Sequence, residues 1–378
     1  MAGIIRQGWR RGNIAAMSTF AQRLVRWHRH HGRHDLPWQV DWRRHGDPYR
    51  VWLSEIMLQQ TQVAAVIPYY ERFLARFPDL LSLAAAPVDE VMALWSGLGY
   101  YARARNLHAC ARMVVGEHAG RFPPDPAVIA RLPGIGRSTA NAIAAFCFGV
   151  RAPILDGNVK RVLCRHFAVE GFPGLPAVDK ELWRLAESLL PTADTAIYLQ
   201  AQMDLGATVC TRSSPRCVAC PLAGTCRARA EDRVAELPAP KPRPPLPERE
   251  TTVLVLVGAG HVLLEQRPPA GIWGGLLSLP ELPAGTAVED CCRRLGCSVA
   301  GQRALPPIRH GFTHFRLTVK PLLCEVAVAA SVAEPGLRWL AADELAGAPL
   351  PAPIRKLLTA LFDQPVVAGL DRSGVVAV

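Results

Sequence analysis

The chain of 378 residues contains no run of about 18 uncharged apolar residues, so no membrane-spanning helix is expected, although half of its residues are hydrophobic. Its first sixteen residues lack the apolar core of a secretory signal. No internal repeat and no sustained heptad pattern occurs. The eleven cysteines are odd in number and only four of them cluster, which speaks against a disulfide framework and for a reduced cytoplasm. The C-terminal part also lacks net charge. Residues 229–378 hold 16 Lys and Arg against 15 Asp and Glu, whereas residues 1–228 hold 27 against 17.

A basic first part points to a polyanion partner, since neutralising phosphates supplies most non-specific nucleic-acid affinity. Residues 18–120 and 121–209 carry apolar residues at helical spacing, as in Val51–Ala65 and Val88–Leu94, with breaks at Pro68, Pro78, Pro87, Pro123-Pro124 and Pro153. Met17 directly precedes a helical run, Ser18 to His30, so residues 1–17 read as an N-terminal extension without a fold. The tract 229–250 holds six prolines among charged residues and reads as an extended linker that could hold a repair partner. Beyond it the period switches to strands at Thr251–Val257, His261–Glu265, Phe315–Val328 and Leu337–Leu340, with helices at Val288–Leu295 and Ile354–Phe362. The expected architecture is an all-α domain over 18–228 and an α+β domain over 251–365, followed by a tail, 366–378.

The segment Leu132-Pro133-Gly134-Ile135-Gly136-Arg137-Ser138-Thr139-Ala140 reads as a tight hairpin between two helices. Its glycines allow positive φ and close approach of another molecule. Amides converging at the start of the second helix make an anion site, here most simply a DNA phosphate. Cys210, Cys217, Cys220 and Cys226 lie within a short loop rich in arginine and proline. Zinc usually takes two close-spaced pairs; the uneven spacing here suits a four-iron cluster better. Arg212, Arg216 and Arg227 in that loop could face phosphate. Glu55 is the one acid in the apolar stretch Trp52-Leu53-Ser54-Glu55-Ile56-Met57-Leu58-Gln59-Gln60-Thr61. Burial without a full partner would raise its pKa and let it hold a proton near neutral pH. Asp156 stands just after the hairpin's second helix. Two carboxyls in different environments are what glycosidic cleavage needs, one to protonate the leaving group and one to stabilise a cationic sugar.

The hairpin followed by Asp156 resembles the helix-hairpin-helix of base-excision DNA glycosylases, and the cysteine spacing is that which holds a [4Fe–4S] cluster in the endonuclease III and adenine glycosylase families. Leu36-Pro37-Trp38-Gln39, Val51 to Val63, Gly97-Leu98-Gly99-Tyr100-Tyr101-Ala102-Arg103 and Leu155-Asp156-Gly157-Asn158-Val159-Lys160-Arg161 resemble the MutY family of adenine DNA glycosylases over about residues 18–362. The resemblance implies a monofunctional enzyme that removes adenine mispaired with 8-oxoguanine or guanine in double-stranded DNA. Glu55 would protonate the flipped adenine and help activate water, and Asp156 would stabilise the sugar cation with Asn158 beside it. Gln60 and Thr61 would sit by the mispair, Leu58 and Tyr100 would wedge into the opened stack, and Leu132, Gly134, Gly136, Ser138 and Lys160 would meet the DNA. Endonuclease III-like enzymes carry a lysine where Ser138 stands, and a hydroxyl cannot form a Schiff base. Lys160 is expected at a phosphate or at Asp156.

Gly271-Ile272-Trp273-Gly274-Gly275-Leu276-Leu277 followed by Pro280-Glu281 resembles the Nudix fold. Gly275, Glu281 and Gly296 fall in frame with the Nudix box, but Arg293-Arg294 replaces its metal-binding glutamates, so no hydrolysis of nucleoside diphosphates is expected. His310-Gly311-Phe312-Thr313-His314-Phe315 resembles the family's 8-oxoguanine-recognising loop, which assigns Phe312, Thr313 and His314 to the lesion. The family further implies a monomer in the bacterial cytoplasm, associated with the nucleoid. An endonuclease III-like glycosylase/lyase on oxidised pyrimidines and a non-catalytic damage-binding protein are the rival readings.

Overall fold

The computed structural model describes residues 13–39, 46–241, 246–268, 271–312, 314–328 and 336–363. By contacts the chain forms two compact units, Met1–Ala84 with Ala109–Pro242, and Ala85–His108 with Arg243–Val378. The helices in chain order are α1 (Asn13–His31), α2 (Pro48–Met57), α3 (Val63–Arg76), α4 (Leu80–Ala85), α5 (Val88–Trp95), α6 (Ala102–Glu117), α7 (Pro126–Ile129), α8 (Arg137–Phe148), α9 (Gly157–Phe167), α10 (Pro176–Ser188), α11 (Thr195–Thr208) and α12 (Arg227–Ala230). Of the 1–17 extension, residues 1–12 lie outside the described residues. Helix α1 starts at Asn13 rather than Ser18, because Ala15, Ala16 and Met17 are good helix formers that extend the run.

The first unit packs α1 on α11, α11 on α9, and α2 on α8. Trp52, Leu53, Tyr70, Phe73, Phe77 and Tyr198 are fully buried. The expected run from Val51 to Ala65 is divided. α2 ends at Met57 and α3 begins at Val63, with Gln60 at φ +58° in the turn between them. Pro68 was expected to break a helix but lies inside α3, at the cost of one helical hydrogen bond.

Residues 85–108 group with the second unit, not with the domain 18–228 in which the sequence reading places them. Arg338 pairs with Asp89 at 3.2 Å, Ser96 Oγ donates to the Leu350 carbonyl at 3.0 Å, and Arg105 donates to the Gly274 carbonyl. Of the proposed linker, Arg229 and Ala230 close α12, residues 242–245 lie outside the described residues, and β1 opens at Glu248. The tail 366–378 also lies outside them.

The second unit is built on one mixed sheet of β1 (Glu248–Gly258), β2 (His261–Gln266), β3 (Leu277–Ser278), β4 (Glu281–Leu282), β5 (Cys297–Ala304), β6 (Ile308–Gly311), β7 (Arg316–Val328) and β8 (Leu337–Ala341). Its main path runs β3-β2-β1-β7-β5. β1 pairs antiparallel with β2 and parallel with β7. The alternation of side chains along β1 feeds two cores. Val253, Val255 and Val257 join Leu317, Val319 and α14 (Ala352–Phe362) on one face. Leu254 and Leu256 join Cys291, Cys292 and Cys324 on the other, beneath α13 (Val288–Arg294).

Leu256 is fully buried on the α13 side. Leu256→Ala is expected to destabilise the second unit by about 3 kcal/mol. Urea denaturation followed by tryptophan fluorescence would show this as a lower midpoint for that unit's transition.

Candidate active site

Glu55 sits in the last turn of α2, and its carboxyl lines a cleft of about 480 Å³. Arg33, Trp38, Gln39, Ser54, Leu58, Phe146, Gln200 and Met203 line the same cleft. No hydrogen bond reaches the Glu55 carboxyl among the described residues. Burial, and secondarily the charge of Asp156, push its pKa up to about 7. Asp156 is near enough for its charge to act on Glu55, but it is not among the residues that line this cleft.

Asp156 is the N-cap of α9, with extended backbone (φ −83°, ψ 179°). Its Oδ1 accepts the Val159 N–H at 2.8 Å and its Oδ2 accepts the Asn158 Nδ2 at 3.1 Å. Arg161 Nη2 donates to Asn158 Oδ1 at 2.8 Å and to the Gly206 carbonyl at 2.7 Å, while its Nε donates to the Cys210 carbonyl at 2.7 Å. Burial, the largest effect, raises the Asp156 pKa above the ordinary carboxylate value, and these donors together with Arg161 only partly draw it back. A Cβ at Gly206 would stand 2.5 Å from Asn158 Cβ; this close approach of α11 to α9 requires glycine.

The hairpin departs from the reading in one respect. Gly134 takes positive φ (+75°), but Gly136 is extended and N-caps α8 without a side-chain bond. A Cβ at Gly136 would meet nothing within 4 Å. The open space in front of the first α8 amides is what an approaching phosphate needs. Leu132 is buried, so only its backbone is available to DNA. Leu58 is half-buried at the cleft, Gln60 is exposed, and Thr61 is half-buried with its hydroxyl on the Gln59 carbonyl. Tyr100 is 46% exposed at φ +50°, with Arg103 over its ring, and it belongs to the second unit. Lys160, expected at a phosphate or at Asp156, pairs through its ammonium with Asp179 at 2.6 Å and is partly exposed. Ser138 Oγ accepts the Leu155 N–H at 2.9 Å, an inward role that the reading of Ser138 as a DNA contact did not include.

The cleft adds residues to which the sequence reading gave no role. Gln39 is 5% exposed and neither atom of its amide has a partner. Gln200, which also lines the cleft, donates its Nε2 to Asp204 at 2.9 Å. Arg33 is clamped to the buried Asp204 carboxylate through Nε and Nη2 at 2.8 and 2.7 Å. The available signal was Gln200-x-Gln202-x-Asp204, polar side chains in an otherwise apolar helix.

Cys210, Cys217, Cys220 and Cys226 carry free thiols. Among the described residues no three His, Cys, Asp or Glu side chains stand at metal-binding spacing. The four thiols are nonetheless close enough to act on one another. Burial first, then its three neighbours, push the Cys220 thiol up to about 11. Arg165 Nη1 donates to Cys210 Sγ at 3.4 Å. Four gathered sulfurs are the donor chemistry an iron–sulfur cluster requires. Of the arginines expected at phosphate, Arg216 donates to the Thr208 carbonyl and Arg227 pairs with Glu231, leaving Arg212 exposed.

In the second unit Phe312 stacks on Phe315 (centroids 4.5 Å, 21°) and meets His310 edge-on at 4.7 Å. His314 is exposed and edge-on to Phe315 at 4.7 Å. Thr313 lies outside the described residues. Arg293, at the place of a Nudix metal-binding acid, pairs with Asp290, and Glu281 pairs with Arg267.

Residues 53–188 match the HhH-GPD superfamily of base excision DNA repair proteins, and residues 251–360 match the NUDIX domain. The chain is 37% identical to the adenine DNA glycosylase of Buchnera aphidicola subsp. Baizongia pistaciae, over 80% of this chain and 85% of that protein. It is 35% identical to the adenine DNA glycosylase of Homo sapiens, over 91% of this chain and 74% of that protein. The structure of a thermostable thymine-DNA glycosylase superposes with a TM-score of 0.51 at 28% identity, covering 57% of this chain and 98% of that one. With relatives at 35–37% identity matched over most of their length, the chain belongs to the adenine DNA glycosylase family.

Proposed function

We propose that this protein excises adenine paired with 8-oxoguanine or guanine in duplex DNA, leaving an abasic site without cutting the strand. The observation that supports this reading is a buried Glu55 whose pKa is raised by burial and then by the charge of Asp156. Glu55 has no donor and a pKa near 7, so it holds a proton to give to the leaving base. Asp156 is held by the Val159 N–H, the Asn158 amide and the start of α9, which favour its anion and suit it to a developing sugar cation.

Adenine is the base the cleft fits. Gln39 offers an unpaired amide, donor beside acceptor, of the kind that bonds adenine in two places. Gln200, held by Asp204, accepts through its oxygen from the exocyclic amine of adenine, whereas the carbonyl of guanine would repel it. Leu58, Gln60 and Thr61 cap the α2–α3 turn at the mouth, where the extruded base enters. Ser138 has no amine to attack the sugar, and the one nearby lysine, Lys160, is bound to Asp179. In the second unit Phe312, Thr313 and His314 read the 8-oxoguanine by stacking and hydrogen bonding. The four loop cysteines hold a [4Fe–4S] cluster, which when bound braces the loop against α9 and α11 through Arg161 and Arg165. This is the work of a bacterial-type, nucleoid-associated monomer, and the proline-rich segment around 229–250 is the place for a repair partner.

The test is single-turnover incubation with duplexes bearing adenine opposite 8-oxoguanine, guanine or thymine. Alkali-dependent cleavage is expected for the first two; nicking without alkali would favour the endonuclease III-like reading. Glu55→Gln should abolish adenine release, and the wild-type rate should fall as pH rises through about 7 and Glu55 loses its proton. The stability sign is opposite to that of an ordinary paired carboxylate. The folded pKa lies above the unfolded value, so stability is fully present below about 4.5 and is lost as pH climbs toward about 7. Glu55→Gln should therefore raise Tm at pH 8 and leave it unchanged at pH 4; no rise at pH 8 would contradict the buried-acid assignment.

Gln39→Leu should weaken adenine handling about tenfold or more, the worth of a two-point amide–base contact, with duplex affinity kept. Equal rates for the variant and the wild type would remove Gln39 from base reading. Purified protein should absorb broadly near about 400 nm and carry about four irons per chain. A colourless, zinc-loaded preparation, or a Cys217→Ser variant that keeps full iron, would overturn the cluster.

A further inference from the structure

Helix α8 starts at the hairpin and carries Ser138 and Asn141 three residues apart, on one face. Both reach the same extended segment. Asn141 Nδ2 donates to the Pro153 carbonyl at 2.7 Å, and Ser138 Oγ accepts the Leu155 N–H at 2.9 Å. Ile154 and Leu155, between these two bonds, are 2% and 5% exposed. Asp156 follows immediately, and Val159 N–H fixes its carboxyl from the other side.

We propose that Ser138 and Asn141 are positioning residues: a two-point rail on α8 that sets the position of the Asp156 carboxylate. The inference rests on the reading of Asp156 as the group that stabilises the sugar cation. The rail ties the acid to the turn that grips the DNA backbone. Gly136 N-caps α8, so the first amides of the helix and the Ser138 hydroxyl share one rigid turn. A phosphate bound there and a carboxylate held here keep a set separation, which is the form of preorganisation that small displacements destroy.

The rail also gives a physical reason for a hydroxyl at position 138. The Leu155 N–H needs an acceptor. A serine oxygen supplies one, while an ammonium has no lone pair to offer. A lysine at this place would leave a buried amide unpaired, and the Leu155–Asp156 segment would have to move to satisfy it. Serine and a lyase amine are thus alternatives for more than the chemistry of the amine.

The test uses the full-length, cluster-containing protein under single-turnover conditions. Ser138→Ala should lower the adenine-excision rate at saturating enzyme about 10- to 100-fold, with duplex affinity within about twofold of wild type. Ser138→Thr, which keeps the acceptor, should restore most of the rate. Should the alanine variant not fold, Ser138→Cys, of similar size but a poor acceptor, takes its place with the same expected loss. The decisive readout is a double-mutant cycle. In an Asp156→Asn background, Ser138→Ala should cause no further loss of the residual rate, because the residue acts through Asp156. Equal further loss in that background would mean a general structural role and overturn the rail. So would a Ser138→Ala variant that binds duplex weakly but excises at the wild-type saturating rate, which would make Ser138 a DNA contact. An active Asp156→Asn protein would sink the functional reading itself. A fully active Ser138→Ala beside an inactive Asp156→Asn would sink only the rail.

Discussion

Glu55 and Asp156 are both buried carboxyls, and they differ because their donors differ. Both would be neutral if burial acted alone. Asp156 stands at the start of α9, where a backbone N–H, the Asn158 amide and the positive end of the helix all favour charge. Glu55 leaves the last turn of α2 with no donor, and the nearest charge it meets is that of Asp156. Burial first, and then the charge of Asp156, keep the proton on Glu55.

The surrounding scaffold serves this asymmetry. Arg161 spans from Asn158 to the carbonyls of Gly206 and Cys210, so the arrangement around Asp156 is continuous with the start of the cysteine loop. Gly206 lets α11 approach α9 closely enough for that span. Asp204, with no exposed surface, neutralises Arg33 and orients Gln200. A free Arg33 guanidinium at the cleft would draw Glu55 toward ionisation. Paired with Asp204, it offers remaining N–H groups without imposing a net positive charge.

Much of this was legible in the residues. α8 begins within a residue of the expected Ser138, and β1, β2, β7 and β8 fall on the strands that alternation marks. Their signals are local, made by period and turn chemistry. The break between α2 and α3 was not legible, because Leu58 to Gln62 holds no proline or glycine and apolar spacing continues through it. Gln60 takes a left-handed φ there that only the tertiary fold imposes. Gln39 and Gln200 were likewise missed as cleft residues. A glutamine says nothing of its role until burial shows which of its atoms lack partners. The grouping of residues 85–108 with the second unit depends on Ser96, Arg105 and Asp89 meeting residues more than 150 positions away, as with Ser96 and Leu350. No local pattern encodes such pairs.

The second unit shows the same logic applied to a different ligand problem. Its sheet is buried on both faces of β1, which fixes strand register strongly, since a one-residue slip would exchange Val253, Val255 and Val257 with Leu254 and Leu256. A frame that rigid can carry a site on one edge without depending on it. Where a Nudix hydrolase would gather acids about a metal, α13 carries Arg293 and Arg294, and the in-frame Glu281 is held by Arg267. Cations at these places repel a divalent ion and leave no oxygen cage to polarise a phosphate. The same unit carries a ring cluster of half-buried Phe312 and His310 with exposed His314, near Trp273. Flat apolar faces with ring nitrogens at their rim suit a purine held by stacking and edge hydrogen bonds.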